Sequence, residues 1–420
     1  MNTQTPSELK MDIDFVRNQF PALKNNFVYM DNAGGTQALE SVVNKISNYM
    51  VNYNAQLGAS YEVSAAAGEK LDYAVKELAG FINAGKQQEV VVGPSSSMLL
   101  RILSICLSKQ WQSGDEVIVT NSDHEANVSC WTDLQEKGIV IKIWKINPET
   151  LEFDINDLRN LISDKTRLVA MVHVSNILGT INPIRDVARV VHEAGALFCV
   201  DGVAYAPHRL IDVREFEVDF YVFSSYKVYG PHLGVMYGKY DLLREMDGIN
   251  HYFITKDEVP YKFQPGNLNY ELTYSLLGIT EYFKNFYDYH FPDEKGLDNW
   301  VKFRKSFELI AEHEQLLAKT LLDYLKTKDD IRIIGQKDED STKRVSTISF
   351  IHNRLKSSEV VEKVDRFRVG IRYGDFYAKK IIIDLGLVEK DGVIRVSMVH
   401  YNTIDELSTL IKAFEYIFKE

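Results

Sequence analysis

Two polar residues follow apolar runs in this chain, and together they could do chemistry that neither could do alone. Lys227 lies just beyond the apolar residues 220–223 and just before a glycine–proline turn, and Asp201 closes the apolar residues 196–200. A lysine amine forms a Schiff base with a pyridine aldehyde, while a carboxylate keeps the nitrogen of the pyridine ring protonated. The pair predicts an enzyme that labilises bonds around the Cα atom of an amino acid.

Three further segments supply groups that such a site would need. Residues 93–97 place serine hydroxyls and free N–H groups at a helix start, which suits a phosphate dianion, although simple capping by serine is the alternative. His124 could stack on an aromatic ring and exchange protons, and Asn176 could donate to a ring oxygen. The alternatives are a surface histidine and a turn asparagine. No second histidine follows His124 at the spacing of a helical metal site, so no metal is predicted.

Two arginines lie further along the chain, where the sequence pattern is different. The guanidinium forks of Arg372 and Arg395 fit a substrate α-carboxylate bidentately. Surface ion pairing is the alternative, and it is less expected for Arg395 because that residue lies in an alternating strand pattern. In an apolar pocket near such cations the pKa of Lys227 would fall, which makes its amine a usable nucleophile.

Alternating strands and helices must position these groups. Strand-like apolar runs and helical spacing alternate from residue 89 to residue 237, which predicts a mostly parallel sheet covered by helices. Ligands bind at the carboxyl ends of the strands in such sheets, where Asp201 and Lys227 fall. After about residue 290 a long helix and two alternating strands predict a second, α+β unit. We therefore expect an N-terminal helix that packs on the small domain in residues 1–20, a large domain in 21–290 and a small domain in 291–420.

Composition argues against several other classes of protein. The 420 residues carry a net charge of −11 without a long basic block, which argues against nucleic acid and anionic membranes as partners. The sequence shows no signal-peptide core and no membrane span, so we expect a cytoplasmic protein. The three cysteines, Cys106, Cys130 and Cys199, are dispersed, which predicts neither a disulfide framework nor a structural zinc site.

Four segments resemble those of one enzyme group, and the resemblance covers roughly residues 15–418. They are the DHEAN, HVSNILGT, DG and SSYKVYGP segments, which begin at Asp123, His173, Asp201 and Ser224. In them the chain is similar to the class V aminotransferase group, also called cysteine desulfurase-like, whose members use pyridoxal 5′-phosphate. The resemblance implies the α/β architecture of fold-type I transferases. This is a mostly parallel seven-stranded sheet with helices on both faces, plus a smaller α+β C-terminal domain.

The resemblance implies a role for each matching residue around the cofactor ring. Lys227 would form the Schiff base, Asp201 would bind the pyridine nitrogen, and His124 would stack on the ring. Asn176 would reach the phenolic oxygen, and Val203 would pack under the other face of the ring. The catalytic residues implied in this way are Lys227, His124 and Asp201.

Contacts to phosphate, substrate and a second subunit are implied in the same way. Three serines would bind the phosphate of the cofactor, namely Ser95, Ser96 and Ser224. Asn267 would reach the phosphate in the partner active site of a homodimer. Arg395 would bind the carboxylate of a small amino-acid substrate, with Arg372 and Asn32 as further substrate contacts.

Three positions depart from the pattern of this group. Ala204 stands where related enzymes often carry glutamine, and Tyr226 stands where they often carry histidine. Tyr377 occupies the place of the cysteine that forms a persulfide in sulfur relay. The DNAGGTQ start at Asp31 and the FYA and HYNT segments near the end are similar to a bacterial subfamily that lacks this cysteine.

The sequence indicates the cofactor more specifically than it indicates the reaction. The resemblance favours β-elimination at a C–S or C–Se bond, while amino transfer and racemisation or epimerisation on the same scaffold stay open. A regulatory protein that binds the cofactor in a decayed site is a rival of another class, against which the retained lysine, aspartate and arginines argue. A nucleotide-binding protein ranks far behind, because neither GxxxxGK[ST] nor a suitably placed GxGxxG occurs.

Overall fold

The N-terminal region contacts the C-terminal region in the computed structural model, which describes residues 10–419. Its elements are α1 (Ile13–Asn18), β1 (Val28–Tyr29), α2 (Glu40–Asn52) and α3 (Glu62–Phe81). Asp12 caps α1, because its side chain accepts the N–H of Phe15 at 2.9 Å. Arg17 of α1 donates to Glu406 at 2.8 Å. The part of the expected N-terminal helix region before residue 10 lies outside the described residues.

A seven-stranded sheet forms the centre of the fold. In chain order its strands are β2 (Val90–Gly93), β3 (Glu116–Thr120), β4 (Val140–Trp144), β5 (Thr166–Val172), β6 (Leu197–Asp201), β7 (Phe220–Ser224) and β8 (Gly234–Gly238). They lie in the order β2-β8-β7-β6-β5-β3-β4. The pairs from β7 to β4 are parallel, and β8 is antiparallel to both of its neighbours. The predicted mostly parallel sheet is confirmed.

Helices cover both faces of this sheet. A hydrophobic core lies on each face, and each strand contributes side chains to both cores. The helices that follow these strands are α4 (Ser96–Ser108), α5 (Ala126–Thr132), α6 (Ile155–Leu161), α7 (Ile184–Glu193) and α8 (Tyr240–Glu245). In β5, Val169 and Met171 join one hydrophobic cluster, while Leu168 and Ala170 join the other. Side chains alternate across a strand, so a strand covered on both faces is apolar at successive positions. This explains the continuous apolar runs in the sequence.

A smaller sheet lies in the C-terminal region. Its strands are β9 (Ile331–Ile334), β10 (Thr347–His352), β12 (Arg372–Gly374) and β13 (Val393–Ser397). They are antiparallel in the order β12-β13-β10-β9, whereas β11 (Val369–Gly370) pairs in parallel with β1. The remaining helices in chain order are α9 (Tyr270–Ser275), α10 (Leu277–His290), α11 (Asn299–Lys326), α12 (Ser357–Val364), α13 (Lys379–Asp384) and α14 (Ile404–Ile417).

Helix α11 packs in the cores of both regions. Phe303, Phe307 and Ile310 in its first half belong to the core of the large sheet. Leu317 and Leu321 in its second half belong to the core of the small sheet. The expected domain boundary at residue 290 falls just before a helix shared by both cores, and the division into domains stays a prediction.

The segment that follows β3 is α-helical only over a short stretch. Helix α5 ends at Thr132, and a 3-10 helix continues to Lys137. Gly138, with a φ of 81°, ends this segment in the left-handed conformation that glycine adopts without a steric penalty.

Two observations concern residues 10–419 as a whole. None of their helices combines the length and the hydropathy that crossing a bilayer requires. These residues also include no group of three or more histidine, cysteine, aspartate or glutamate side chains placed to hold a metal ion.

Gly234 in β8 allows the start of α4 to approach the sheet closely. A Cβ atom there would lie 2.3 Å from the carbonyl carbon of Ser95 and 2.5 Å from the nitrogen of Ser96. We expect Gly234→Ala to displace this backbone and to lower the free energy of unfolding by about 1–3 kcal/mol, measured by urea denaturation.

The control is Gly68→Ala within α3. Nothing lies within 4 Å of a Cβ atom at Gly68, so we expect this variant to gain about 0.5–1 kcal/mol of stability. Equal stabilities for Gly234→Ala and Gly68→Ala would contradict the steric argument.

Candidate active site

A cleft lies at the carboxyl ends of the parallel strands. The residues that line it come from the ends of β3, β5, β6 and β7 and from the start of α4. They are Ser96, Ser97, His124, Ala126, Val172, Val174, Asn176, Asp201, Val203, Ala204, Ser224, Tyr226 and Lys227. The structure therefore brings together most of the residues predicted to bind the cofactor.

Lys227 ends a short 3-10 turn, Ser225–Lys227, that follows β7 directly. The residue is buried, with 7% exposure, and its Nζ makes no hydrogen bond to any of residues 10–419. Burial, together with the Arg395 cation, lowers the pKa of this amine to about 8, while Asp201 opposes the change. A much larger fraction of Lys227 is therefore a neutral amine near neutral pH than of an exposed lysine.

Asp201 is the last residue of β6 and is 3% exposed. Its Oδ1 accepts the N–H of Val203 at 2.9 Å, which fixes the direction of the carboxyl group. Burial raises the pKa of Asp201, while this hydrogen bond and the Lys227 ammonium act in the opposite direction. Gly202 follows because a Cβ atom there would overlap the ring of Tyr221.

His124 lines the same cleft as a neutral ring. Burial, followed by the cations Lys227 and Arg395, lowers the pKa of its imidazole to about 4. Its Nδ1 accepts the N–H of Ala126 at 3.0 Å, so the proton of the neutral ring resides on Nε2. A neutral imidazole is suited to stacking on a cationic aromatic ring because it adds no like charge.

Asp123, next to His124, is a residue whose contribution sequence reasoning missed. It is buried, accepts Asn127 Nδ2 at 2.6 Å and the N–H of Val172 at 3.1 Å, and so ties the end of β3 to the end of β5. Burial raises the pKa of Asp123 to about 8. The DHEAN motif contains this residue, but the register of β5 was needed to show the contact.

The predicted phosphate ligands form a cluster of hydroxyls at the start of α4. Ser96 Oγ and Ser224 Oγ lie 2.7 Å apart and are buried. Ser95 caps the helix, since its hydroxyl accepts the N–H of Met98 at 3.2 Å. Ser97, which was not among the predicted ligands, lines the cleft. A helix start with free N–H groups and hydroxyls favours a bound dianion.

Asn176 contacts both the cleft and the C-terminal region. Its Nδ2 donates to the carbonyl of Phe376 at 2.9 Å, and its own carbonyl accepts Arg395 Nη1 at 3.3 Å. Its Oδ1 is buried without a hydrogen-bond partner in the part of the chain that the structure describes. Buried polar atoms are normally paired, so this oxygen is available to accept a hydrogen bond from a bound group.

Arg395 and Arg372 lie opposite each other in paired strands β13 and β12 and share one carboxylate. Arg395, 1% exposed, donates from Nη2 to Asp31 Oδ1 at 2.8 Å, while Arg372 Nη1 lies 3.7 Å from Asp31 Oδ2. Arg395 Nε is a buried donor that also has no partner within residues 10–419. Asp31 was missed as a site residue, because its part depends on a contact with the far end of the chain.

Five of the predicted site residues do not line the cleft, namely Ser95, Arg372, Arg395, Asn32 and Asn267. The amide of Asn32 donates to the carbonyls of Tyr29 and Ser397 at 3.0 and 2.9 Å and is buried, so packing rather than substrate binding accounts for it. Asn267 is exposed, does not line the cleft, and exchanges hydrogen bonds with Gln56. Its contact with a partner subunit stays a prediction.

The groups in the cleft fit a flat pyridine aldehyde that carries a phosphate. The cleft offers an unpaired amine, a carboxyl group and a neutral imidazole around a space between apolar side chains. The hydroxyls of Ser96 and Ser224 line the cleft as well. The amine, the carboxyl group, the imidazole and the hydroxyls match the aldehyde, the ring nitrogen, the ring and the phosphate of pyridoxal 5′-phosphate.

Comparisons with known proteins agree with this geometry. The profile of the aminotransferase class-V family matches residues 28–289 and 296–410. An aminotransferase-like protein of Gibberella zeae is 41% identical over 98% of this chain and 100% of its own length. A cysteine desulfurase-like protein of Aspergillus flavus is 34% identical over 99% of this chain and 92% of its own. The apo structure of a cysteine desulfurase from Thermococcus onnurineus NA1 shares the fold, with a TM-score of 0.85 and 22% identity over 100% of this chain and 99% of that chain.

These similarities cover almost all of the described residues. Two of the relatives are fungal, which the similarity to a bacterial subfamily did not lead us to expect. The resemblance that rested on four short segments is confirmed by the family profile and by relatives of similar length. The chain belongs to the class V aminotransferase family and is a pyridoxal-phosphate-dependent enzyme.

Proposed function

We propose that the protein is a cytoplasmic enzyme that holds pyridoxal 5′-phosphate on Lys227 and acts on a small α-amino acid. The observation that carries the proposal is the buried, unpaired amine of Lys227 in the same cleft as Asp201. Asp201 would bind the pyridine nitrogen, and Ser95, Ser96 and Ser224 would bind the phosphate. Val203 would pack on one face of the ring.

Different side chains of the cleft would have different roles in catalysis. When bound, the cofactor supplies an electron-poor ring that stabilises negative charge at the substrate Cα. Asp201 would keep the ring nitrogen protonated, and His124 would stack on the ring with its Nε2 proton available. Lys227, once released by the substrate amine, would remove or deliver the Cα proton, for which a pKa of about 8 is suitable.

Arg395 would hold the substrate by its α-carboxylate. Its Nε is unpaired and buried, while Asp31 and the carbonyl of Asn176 hold the two other nitrogens in place. Burial lowers the pKa of Arg395 to about 10, so it stays cationic at neutral pH. Arg372, on the exposed side of Asp31, would be the second substrate-facing arginine.

We infer β-elimination at a C–S or C–Se bond as the leading reaction. The relative from Aspergillus flavus, described as cysteine desulfurase-like, supports it. Sulfur relay through a protein thiol is not supported, because Tyr377 stands where that cysteine would be. Cys106, Cys130 and Cys199 are all buried, and burial raises the pKa of each thiol. The eliminated group would leave as a free small molecule.

Amino transfer is the second candidate. The relative from Gibberella zeae, described as aminotransferase-like, has the higher identity of the two fungal proteins. A cleft without a thiol acceptor also suits a reaction in which the amino group, rather than sulfur, is transferred. Racemisation or epimerisation would use the same Lys227 chemistry and stays a third option.

Covalent capture of the cofactor tests the proposal. We expect purified protein to bind pyridoxal 5′-phosphate with a visible absorbance band, and Lys227→Ala to abolish that band. Lysine reacts as the free amine, so the rate of cofactor capture at constant temperature should rise with pH with a midpoint near 8. An exposed lysine, with its higher pKa, would give a midpoint well above that.

Lys380→Ala is the matched control for this measurement. Lys380 pairs with Glu125 at 3.1 Å beside α5, outside the cleft, so its loss should leave the band intact. A wild-type protein that neither shows the band nor acquires it with added cofactor would overturn the proposal.

Product analysis separates the candidate reactions. We expect the holoenzyme to release sulfide from L-cysteine, or selenide from L-selenocysteine, because elimination needs no protein thiol. Alanine, pyruvate and keto acids are measured in the same reactions, for each amino acid supplied. Keto acid formed from other amino acids without sulfide would support amino transfer, and inversion of Cα without any product would support racemisation.

A homodimer is part of the proposal. Asn267 is exposed and lies next to an apolar groove of about 550 Å³ lined in part by Met98, Ile102 and Phe263. We expect sedimentation to give about twice the chain mass of 48.1 kDa.

The substitution Asn267→Ala would remove the hydrogen bond from Asn267 to the charged phosphate in the partner active site. We expect this variant to bind the cofactor about tenfold more weakly. A monomer with full cofactor affinity would contradict the prediction.

A further inference from the structure

A strained turn lies between β12 and α13, and we name it the 375–378 turn (Asp375, Phe376, Tyr377 and Ala378). Phe376 and Tyr377 have φ values of 50° and 60°, so two successive residues with side chains adopt the left-handed conformation. Such conformations persist when surrounding contacts stabilise them, and they cluster at functional sites. Asp375 closes the turn, because its carbonyl accepts the N–H of Ala378 at 2.8 Å.

Phe376 contacts two of the predicted site residues at once. Its carbonyl accepts Asn176 Nδ2 at 2.9 Å. The centre of its ring lies 3.6 Å from Arg395 Cζ and 5.8 Å from Arg372 Cζ, so the ring packs on the guanidinium group of Arg395. Phe376 is nearly buried, and contact with a desolvated cation is stronger than at an exposed position.

Tyr377 holds the other end of the turn against α5. Its carbonyl accepts the N–H of Glu125 at 2.7 Å. The centre of its ring lies 5.4 Å from that of His124, although the side chain is 68% exposed. The turn thus contacts residues from the ends of β3 and β5 and from β13, which fixes its position across one side of the cleft.

We propose that Phe376 is a positioning residue that orients the Arg395 guanidinium for the substrate carboxylate, and this inference rests on the proposed function. Asp31 and the Asn176 carbonyl hold two edges of the guanidinium plane. The Phe376 ring covers one face, so the group cannot rotate out of this plane without losing the ring contact. The edge that remains carries the unpaired Nε. An incoming carboxylate therefore meets a donor whose direction is set in advance.

Substitution of the ring tests this role. The wild-type holoenzyme is first titrated with each of the twenty standard amino acids, and the one with the largest effect on the cofactor spectrum becomes the probe. We expect Phe376→Leu to keep the cofactor band and to raise the half-saturating concentration of the probe by about 5- to 30-fold, the range expected for a lost cation–π contact. Phe376→Tyr retains an aromatic face and should stay within about threefold of the wild-type value.

Phe367→Leu is the matched control, since Phe367 packs in the small core against Tyr416 instead. Its half-saturating concentration should equal that of the wild type. The inference is wrong if Phe376→Leu binds the probe as the wild type does, if Phe376→Tyr fails to restore binding, or if Phe376→Leu loses the cofactor band. A different result would show that the proposed function itself is wrong: no amino acid would then alter the spectrum of the wild-type holoenzyme. The inference about Phe376 would be wrong as well in that case.

Discussion

The parallel pairing of β6 with β7 is the constraint on which the rest of the site depends. The register pairs Asp201 with Val222, so both strands end at the same edge of the sheet. One 3-10 turn after β7 is then enough to bring Lys227 into the cleft that Asp201 faces. Neighbouring strands β3 and β5 end at this edge too, and the loops that follow them carry His124 and Asn176. The order of the strands thus decides which side chains can meet.

Burial gives the groups at this edge unusual proton affinities. It lowers the pKa of Lys227 and of His124 and raises the pKa of Asp123 and of Asp201, so in each case the neutral form gains. Arg395 keeps its charge because even a lowered pKa of about 10 lies well above neutrality. The site therefore combines side chains whose neutral forms are favoured with one side chain that stays cationic, which suits proton transfer by Lys227 beside a carboxylate bound to Arg395.

The sequence allows the large sheet and the meeting of Asp201 with Lys227 in one cleft to be predicted, because both produce local signals. Asp201 and Lys227 each follow an apolar run, and such runs indicate buried strands whose ends are ligand sites. Asp31 and Arg395 are 364 positions apart, and neither residue predicts the other. The contact of Asn176 with Phe376 involves a backbone carbonyl, for which side-chain patterns carry no information. Asn32 was expected at the substrate because its segment matched, yet its amide is bound to the neighbouring backbone.

The two-sided packing of helix α11 has a mechanical consequence for substrate choice. The helix has 28 residues and is about 42 Å long, with one half in the core that supports Lys227 and the other half in the core that supports Arg395. The distance between amine and guanidinium is therefore supported by one continuous helix as well as by the hydrogen bond from Arg395 to the Asn176 carbonyl. An amino acid whose carboxylate and amine do not match that distance would have to displace these packed elements, so contacts far from the reacting atoms would help to decide which amino acids fit.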